Sequence, residues 1–591
     1  MNWLRSGRLD GAGDETEGIG TPHRYGTPPQ GSPVLRLHGT RRPPGSPTLA
    51  AMRRAVPAVV WLIAAVHLAV ALAQTAVFPN ARSPDERQQV DLVLQVAAGE
   101  AWPWPDPGTA FITAGTDAGY FVPLDRLPGR QHLAERDDVP PRGERPSYTD
   151  SGGDTSLGEP AYNQLIQHPP LYYLLGAAVV SLVPDWEDQP LDAVWMALRW
   201  GNALLTAVLP ILLFLTARRL RLPAPLPVVA AATPLLVPEL THIESSVNND
   251  TLLIVLFAAA TYLVARVLTG DLGWRTGALL GGVTSLALLT KGFALLLPAW
   301  IVLAYAVAAV RPRRHGDGLR DALRGVLVAG AACVPGALWW LRNRVEYGTL
   351  QPHGTHAEPP DLTPVYGWSD GGWDWLSRFA ERMVTLFFVN DHDSSRSLDA
   401  SWWLARIALV VLLAGIVAAL VHRGLPRASA LVLLFPIPAL AGIVARGSWE
   451  QFAAFGDTAA AQQGRYLFPG VVGLMVVAVA GLTALPVAWR RWALPGLFVL
   501  AVAIHTAFWH DVWTLYWLPS DGWGGIGGAV EAMAFWYPFP PALLGVVLVG
   551  GLVAAGFLVR WTVRAAAAPG PVAVAAPGPV PPAERLPEVV G

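Results

Sequence analysis

Long apolar blocks separated by short polar segments run through the chain from residue 55 onward. They cover residues 55–76, 168–184, 193–216, 224–240, 251–268, 276–310, 322–341, 401–421, 428–445, 467–488, 493–509 and 538–559. A helix that crosses the hydrocarbon core of a bilayer needs about 20 such residues, and the block at 276–310 has room for two short crossings separated at "LTKG". The pattern therefore predicts an all-α polytopic membrane protein with about twelve to thirteen transmembrane helices.

The composition agrees with this class. Of the 591 residues, 52% are hydrophobic and 15% are charged, whereas soluble domains carry about 25% charged residues. A net charge of −2 gives no indication of a nucleic-acid partner. The single cysteine, Cys333, lies in an apolar block, so the sequence predicts neither a disulfide framework nor a cysteine metal site.

The two ends of the chain differ from its middle. Residues 1–51 are rich in Gly, Pro, Arg and Ser and residues 565–591 are of low complexity, so we expect both to be disordered. Either Met52, which precedes "RR" and the first apolar block, is the true start, or residues 1–51 form a disordered cytoplasmic tail. Between these ends we predict a main transmembrane module at 52–470 and C-terminal transmembrane helices at 471–564.

The distribution of basic residues predicts which loops face outward. Arg53 and Arg54 precede the first apolar block, which places the long polar loop 77–167 outside. Starting from "RRLR" (218–221) inside, every later basic segment also falls inside. One conflict stays open, because "RRLR" would lie outside if both 168–184 and 193–216 crossed the membrane. The acidic and aromatic loops are the outer ones, so any chemistry is expected at the extracytoplasmic face.

The outer loop opens with adjacent carboxylates in "NARSPDERQQV" (80–90). Helix capping accounts for them without chemistry, with Ser83 as N-cap and Pro84 in the first turn. The alternative is catalysis, since a helix that starts at the membrane surface would fix a carboxylate rigidly. Successive helical residues diverge by about 100°, so only one of Asp85 and Glu86 can face a given cavity.

Further polar residues stand at the predicted outer boundaries. "QHPPLYYLLG" (167–176) contains His168 and Tyr172, for which an interfacial aromatic belt is the alternative to a functional role. In "SSVNNDTLL" (245–253), Asn249 and Asp250 also suit a helix N-cap. Lysines between apolar runs are costly, so Lys291 in "LTKG" indicates either function or snorkelling. We expect Lys291 to be unpaired and to contribute little to folding.

Arginines at outer boundaries oppose the charge bias of membrane proteins. Arg342 and Arg344 lie in "WWLRNRVEYG", and Arg465 and Tyr466 lie in "QGRYLFPG". Arginine forms paired hydrogen bonds to phosphate, so a phosphate headgroup is the natural ligand for these side chains.

Taken in order, "PDE", "HPPLYY", "NND", "LTKG" and "QGRYLFP" resemble the GT-C superfamily of polyprenyl-phosphate-sugar-dependent membrane glycosyltransferases. This superfamily includes the protein O-mannosyltransferases and the aminoarabinose transferases, and "QGRYLFP" is closest to a bacterial branch. The resemblance covers residues 55–470. It implies that 52–470 is a catalytic module that transfers a sugar, with inversion, from a polyprenyl phosphate to an envelope glycan, lipid or protein in the bilayer of the cell or inner membrane.

The resemblance also implies residue roles. Asp85 would be the general base, and Glu86 would orient it or contact the acceptor. Lys291, Arg342 or Arg465 would hold the leaving phosphate, and Arg344 with the other polar residues named above would bind substrate. No cofactor is implied; a divalent metal stays open, but no cluster of carboxylates supports one. The chain departs from the family pattern after the acids, where "RQQV" stands, and this puts the acceptor and the exact base in doubt.

A transporter or flippase of an envelope precursor is the competing class. Glu239, Glu244 and Asp250 would then form an ion path. Against it, these acids cluster at one surface, and no inverted repeat of broken helices is evident. A membrane scaffold without catalysis is a third interpretation.

Overall fold

The computed structural model describes residues 56–99, 124–127, 130–133, 140–150, 163–310, 318–352, 362–389, 399–518 and 522–567. The predictions for residues 1–51 therefore lie outside the described residues. The same holds for most of the predicted tail at 565–591, although its first residues are the end of a helix that runs to Ala567.

Helices form almost all of the described structure. The first half of the chain contains α1 (Ala58–Val77), α2 (Glu86–Ala97), α3 (Leu171–Val180), α4 (Leu191–Thr206), α5 (Leu209–Arg219), α6 (Leu226–Ala232), α7 (Pro238–Glu244), α8 (Asn249–Leu268), α9 (Trp274–Leu288) and α10 (Leu297–Ala309). The second half contains α11 (Gly318–Glu346), α12 (Gly372–Phe388), α13 (Asp399–Val421), α14 (Arg427–Leu434), α15 (Pro436–Phe455), α16 (Val471–Gly481), α17 (Val487–Arg490), α18 (Ala493–Tyr516), α19 (Ile526–Trp536) and α20 (Pro541–Ala567).

Short elements complete the described chain. Strands β1 (Leu124–Leu127) and β2 (Arg130–Leu133) form an antiparallel hairpin in the long polar loop. Short 3-10 helices lie at Gln164–Gln167, Trp186–Asp188, Thr233–Leu236, Gly292–Leu296, Trp368–Asp370, Gly464–Gly470, Leu482–Ala484 and Gly522–Gly525. The predicted class, an all-α polytopic membrane protein, is confirmed.

Ten helical segments of the described residues are long and apolar enough to cross a membrane. They are Ala58–Val77, Leu191–Arg219, Asn249–Leu268, Gly292–Ala309, Gly318–Glu346, Trp402–Val421, Arg427–Phe455, Gly464–Ala484, Val487–Tyr516 and Pro541–Ala567. The pair Leu226–Leu236 and Pro238–Glu244, bent by 74°, gives an eleventh if it counts as one broken span. The sequence predicted about twelve to thirteen.

Helix α9 accounts for part of this difference. With 15 residues it is shorter than a standard span. However, Lys291, just after its end, lies 2.6 Å from Asp250 at the start of α8. The C-terminal end of α9 therefore lies beside the N-terminal end of α8, and α9 returns the chain along that helix. The described residues therefore contain ten candidate spans, or eleven with the bent pair, and α9 would make a twelfth pass only if a helix of 15 residues crosses.

The open conflict in the predicted topology concerns α3. This helix has 10 residues and, at 1.5 Å per residue, extends about 15 Å, half the thickness of the hydrocarbon core. Segment 168–184 therefore does not cross as a simple helix, whereas Leu191–Arg219 is long enough to do so. With α3 removed from the count of crossings, "RRLR" falls on the same side as the described basic segments at 422–427, 490–491 and 560–564.

Small residues bring α9 and α11 into close contact. A Cβ atom on Gly281 would stand 2.1 Å from the carbonyl oxygen of Ala329, so only glycine fits there. Near the other end of the pair, the Trp340 indole donates to the carbonyl of Leu288 at 2.9 Å. This packing fixes the end of α9 and, with it, the position of Lys291.

Candidate functional site

Four charged residues meet at one end of the helix bundle. Asp85 precedes α2, Asp250 opens α8, Lys291 follows α9, and Arg465 begins the span Gly464–Ala484. Two contacts of 2.6 Å join them in pairs, Arg465 Nη2 to Asp85 Oδ2 and Lys291 Nζ to Asp250 Oδ1. We call these four residues the charged cluster.

Asp85 has an unusual backbone. Helix α2 begins at Glu86, and Asp85 is its N-cap residue with φ 59° and ψ 9°, in the left-handed region. The predicted N-cap role of Ser83 is therefore wrong, and Asp85 makes no side-chain capping bond. A left-handed conformation at a residue other than glycine costs of order 1–3 kcal/mol and persists only where the surroundings enforce it. The carboxylate of Asp85 is consequently directed by its contacts and not by a helix cap.

Glu86 points elsewhere. Its side chain is fully buried, and both carboxylate oxygens accept hydrogen bonds from Arg199, at 2.7 Å from Nε and 2.6 Å from Nη2. The backbone N–H of Val247 donates to the same carboxylate at 3.0 Å. The remaining donors of Arg199 bind the carbonyls of Thr75, Phe78 and Pro79 at the end of α1. Glu86 thus fixes the turn between α1 and α2, and no surface of it is open to an acceptor.

Asp85 is more open. Its side chain is 27% exposed, and besides Arg465 it accepts a long hydrogen bond of 3.4 Å from Gln164 Nε2. Burial by itself raises the pKa of the Asp85 carboxyl, but Arg465 and then Lys291 outweigh it and hold that pKa below its usual value of 3.8. Asp85 is therefore ionised at neutral pH and bound to a cation.

Lys291 is paired, which corrects the expectation that it stands alone. Its side chain is 11% exposed, and its partner Asp250 is 1% exposed. The N-cap of α8 is Asn248, whose side chain accepts from the N–H of Asp250 at 2.9 Å, so neither Asn249 nor Asp250 caps this helix. The Asp250 carboxylate is therefore available to Lys291, and Arg465 Nε lies 3.9 Å from its second oxygen.

Aromatic rings border the two cations. Lys291 Nζ lies 5.3 Å from the ring centre of Tyr466 and 5.7 Å from that of Phe293. The Arg465 guanidinium carbon is also 5.3 Å from the Tyr466 ring. Cations at these distances interact favourably with the negative face of the ring. Tyr466 therefore contacts both cations of the charged cluster.

Three residues of the other predicted outer motifs, His168, Tyr172 and Asn249, are buried beside the charged cluster. His168 is 7% exposed, and burial followed by the charge of Lys291 lowers its pKa to about 3, so it is neutral. The Tyr172 hydroxyl accepts from Asn202 at 2.8 Å, and burial raises its pKa. Asn249 is fully buried and faces Tyr173. These three buried residues therefore support the charged cluster from the interior of the protein.

Arg342 and Arg344 are not brought to the charged cluster by any contact among the described residues. Both are exposed near the end of α11. Arg342 Nε donates to Glu346 Oε2 on the same helix at 2.8 Å. The charge bias predicted a side of the membrane for these residues, but it carried no information about which face of the helix they share.

The sequence interpretation missed two buried polar residues near the cluster. Arg199 is fully buried within the apolar segment Leu191–Arg219, and an arginine inside a span is itself a signal of function or pairing. His242 is also fully buried and contacts Ser83 across 159 positions of sequence. For His242 no local pattern gave an indication. In the described part of the chain, no group of three or more His, Cys, Asp or Glu side chains is placed to hold a metal ion.

The fold and this site define a class, a multi-pass membrane protein with a charged cluster where its apolar helices end. Residues 167–340 match the family model described as dolichyl-phosphate-mannose-protein mannosyltransferase. The matched segment contains "HPPLYY", "NND" and "LTKG", and the match confirms the predicted resemblance to the GT-C superfamily. Asp85 and Arg465 lie outside it. No curated protein matches the chain.

Two solved structures are similar to parts of the chain, each with a TM-score below 0.5. ArnT from Cupriavidus metallidurans, in a crystal structure with undecaprenyl phosphate, is 14% identical with a TM-score of 0.42, over 84% of this chain and 77% of that chain. The oligosaccharyltransferase of Archaeoglobus fulgidus in its apo form is 11% identical with a TM-score of 0.34, over 80% of this chain and 56% of that chain.

Proposed function

We propose that the chain is a glycosyltransferase that moves a sugar from a polyprenyl-phosphate donor to an envelope acceptor, with Asp85 as general base. The observation that carries the proposal is the charged cluster, in which a partly exposed carboxylate is paired with a buried arginine beside a lysine. The family model points to a lipid-linked sugar as the donor class. Two cations at the boundary of apolar helices suit the phosphate of such a lipid.

The proposed reaction is a single displacement. The acceptor oxygen bonds to the anomeric carbon, the bond from that carbon to the phosphate oxygen breaks, and the acceptor proton passes to Asp85. The lipid phosphate leaves with the bonding electrons, and Arg465 and Lys291 stabilise its added negative charge. Because attack and departure take place on opposite sides, the anomeric configuration inverts.

The pairing of Asp85 with Arg465 bears on when the base becomes active. A carboxylate whose pKa is held low by a cation is a weak base. Phosphate competes for arginine, because it accepts paired hydrogen bonds from the guanidinium. Donor binding would therefore draw Arg465 from Asp85, raise the pKa of the carboxyl and prepare it to accept a proton. In this scheme the base is activated only when the donor is present.

The extracytoplasmic face is the proposed side of the reaction. Once α3 is counted as too short to cross, the basic segments among the described residues, at 218–221, 422–427, 490–491 and 560–564, fall on one side. The charged cluster then lies on the opposite side, which the charge rule assigns to the exterior. Asp150→Cys tests this, since Cys333 is the only native cysteine and is buried. An impermeant thiol reagent should label the variant in intact cells, whereas labelling only after lysis would contradict the topology.

The proposal is tested by transfer from undecaprenyl-phosphate mannose to envelope fractions of a deletion strain, using the purified full chain in liposomes. We expect Asp85→Asn to reduce transfer by about 10²–10⁴-fold, the contribution of a general base, while undecaprenyl phosphate still binds. Asp457→Asn is the matched control, because Asp457 is an exposed aspartate that accepts from the nearby N–H of Ala459.

Other outcomes would separate the alternatives. Passage of labelled lipid or ions across the liposome membrane that persists in Asp85→Asn would favour the transporter interpretation. In that interpretation Glu239, Glu244 and Asp250 form the path, yet each has a partner here: His242, His67 and Lys291. Unchanged transfer in Asp85→Asn would remove Asp85 from the mechanism.

A further inference from the structure

A chain of hydrogen bonds lies beneath the loop that carries Asp85. Ser83 Oγ is 2.9 Å from His242 Nε2, and His242 Nδ1 is 3.0 Å from Glu239 Oε2. All three side chains are buried, with exposures of 5%, 0% and 3%. An ionised Glu239 can only accept, so His242 then donates from Nδ1 and its Nε2 accepts from the Ser83 hydroxyl; a protonated Glu239 donates to Nδ1, and Nε2–H then donates to Ser83.

The ring of His242 is held in place from several directions. It stacks on Phe78, with ring centroids 3.8 Å apart and an interplanar angle of 22°. Glu239 fixes its Nδ1 side from the same helix, α7. Since Phe78 is the C-cap residue that follows α1, the imidazole is a rigid point against which the following loop can be anchored.

The loop between α1 and α2 has a strained backbone. Ala81 and Asp85 both have left-handed backbones, with φ of 62° and 59°, although neither is glycine. Ser83 and Pro84 lie between them, and each is tied down, Ser83 to His242 and the Pro84 carbonyl to Asn248 Nδ2 at 3.1 Å. Such conformations persist only where neighbouring contacts enforce them. The hydrogen bonds of Ser83 and Pro84 are placed to enforce the two left-handed conformations.

We propose that Ser83, His242 and Glu239 form a buried tether that holds Asp85 in its left-handed conformation. The three are positioning residues, and the inference rests on the proposed function of Asp85. Without the tether the loop relaxes toward ordinary backbone angles, and the Asp85 carboxylate moves away from Arg465 and from the acceptor.

The same order of side chains occurs in hydrolases, where a serine is the nucleophile. Here Ser83 is 5% exposed, and its hydroxyl lies under the loop and not at its surface. Burial of all three members favours a tether. A nucleophilic serine is kept as an outcome of the test, with labelling by a fluorophosphonate as its signature.

The first experiment measures the position of residue 85 without any transfer reaction. The single variant Asp85→Cys and the double variant Asp85→Cys with Ser83→Ala are each labelled with an impermeant thiol reagent. Loss of the Ser83–His242 hydrogen bond should raise the labelling rate by up to about tenfold, the effect of one net hydrogen bond on a conformational equilibrium. Ser246→Ala is the matched control, because the Ser246 hydroxyl is buried and donates to the carbonyl of Ile243 in its own turn.

The second experiment measures transfer from undecaprenyl-phosphate mannose in the full chain. Ser83→Ala should lower kcat about tenfold and leave KM for this donor within about twofold, and Ser83→Thr, which keeps the hydroxyl, should restore kcat. Ala81→Gly relieves one of the two left-handed strains, because glycine adopts this region freely. Added to Ser83→Ala, it should recover part of kcat.

The two experiments separate the two proposals. Faster labelling of Asp85→Cys with no transfer by the wild-type chain would support the tether and contradict the glycosyltransferase. Normal transfer together with unchanged labelling and unchanged kcat in Ser83→Ala would overturn the tether alone. Fluorophosphonate labelling of Ser83 would overturn it in favour of a nucleophile.

Discussion

Asp85 and Glu86 are neighbours in sequence, yet each belongs to a different arginine pair. The Glu86–Arg199 pair is closed, since both side chains are fully buried and two hydrogen bonds join the guanidinium to the carboxylate. The Asp85–Arg465 pair is open, with Asp85 27% exposed and one contact of 2.6 Å. Adjacent carboxylates thus have opposite surroundings, because Asp85 is left-handed and lies outside α2 whereas Glu86 begins that helix.

The two pairs differ in how readily the arginine can release its carboxylate and bind another anion. Arg199 also binds three backbone carbonyls at the end of α1, so it is fixed whatever Glu86 does. Arg465 has fewer fixed contacts, and its Nε lies 3.9 Å from Asp250, beyond hydrogen-bond distance. Of its two carboxylate neighbours, Arg465 therefore has a close contact with Asp85 alone, which an anion that reached this buried guanidinium would have to replace. The open pair suits chemistry, and the closed pair suits architecture.

The same substitution in both arginines gives the largest expected contrast. Arg199→Met leaves Glu86 buried without a counter-charge, which should cost about 3–5 kcal/mol and remove most folded protein. Arg465→Met leaves Asp85 partly solvated, so the chain should fold, but transfer should be lost. Thermal unfolding and membrane yield measure the first effect, and the transfer assay measures the second. Equal loss of yield in both variants would contradict the distinction between a closed and an open pair.

The pair between Lys291 and Asp250 allows a sharper separation of folding from function. Lys291→Ala should lower the unfolding temperature, because it leaves Asp250 buried beside Arg465 alone; breaking a buried pair costs up to about 3–5 kcal/mol. Asp250→Asn added to Lys291→Ala should restore most of that temperature but not transfer. Recovery of transfer in the double variant would show that Lys291 contributes only to folding.

The sequence predicted much of this arrangement because hydrophobic blocks and loop charges act locally. The helical class and the shared side of Asp85, Asp250, Lys291 and Arg465 followed from such patterns. The separation of Asp85 from Glu86 was predicted from helical divergence, but it arises from the left-handed backbone of Asp85. The contact between Arg465 and Asp85 spans 380 positions, so no local pattern indicated it. The placement of four helix ends in three dimensions decides that contact.

Other errors have the same origin. Three neighbouring residues compete for the N-cap of α8, and tertiary contacts decide the outcome: Asn248 caps it while Asp250 binds Lys291. Arg342 stands at the expected boundary but on the exposed face of α11. A boundary position follows from hydropathy, whereas the face of a helix that meets a site depends on packing that hydropathy does not encode.

Acid pH should weaken the open pair. Burial opposes ionisation of Asp85, yet Arg465 and Lys291 hold its pKa below 3.8 in the folded chain, with neutral His168 also nearby. A lowered folded pKa stabilises the fold above the unfolded pKa and loses this effect as the pH falls through the folded value. The difference in unfolding temperature between wild type and Asp85→Asn should therefore be constant from about pH 7 to 5 and shrink below about pH 4. A difference that already disappears between pH 7 and 5 would contradict the ion pair.

The smallest effect is expected at Arg342, which the sequence grouped with the phosphate-binding residues. Its side chain is 41% exposed and pairs with Glu346 one turn further along α11. Exposed pairs of this spacing contribute about 0.3–0.5 kcal/mol, so Arg342→Ala should change the unfolding temperature very little. Because no described contact joins it to the charged cluster, its transfer rate should stay within about twofold of wild type, far from the 10²–10⁴-fold loss expected for a general base. A loss of tenfold or more, with normal stability, would mean that the donor extends along the membrane surface to α11. Arg342 would then belong to the donor-binding site together with the open pair.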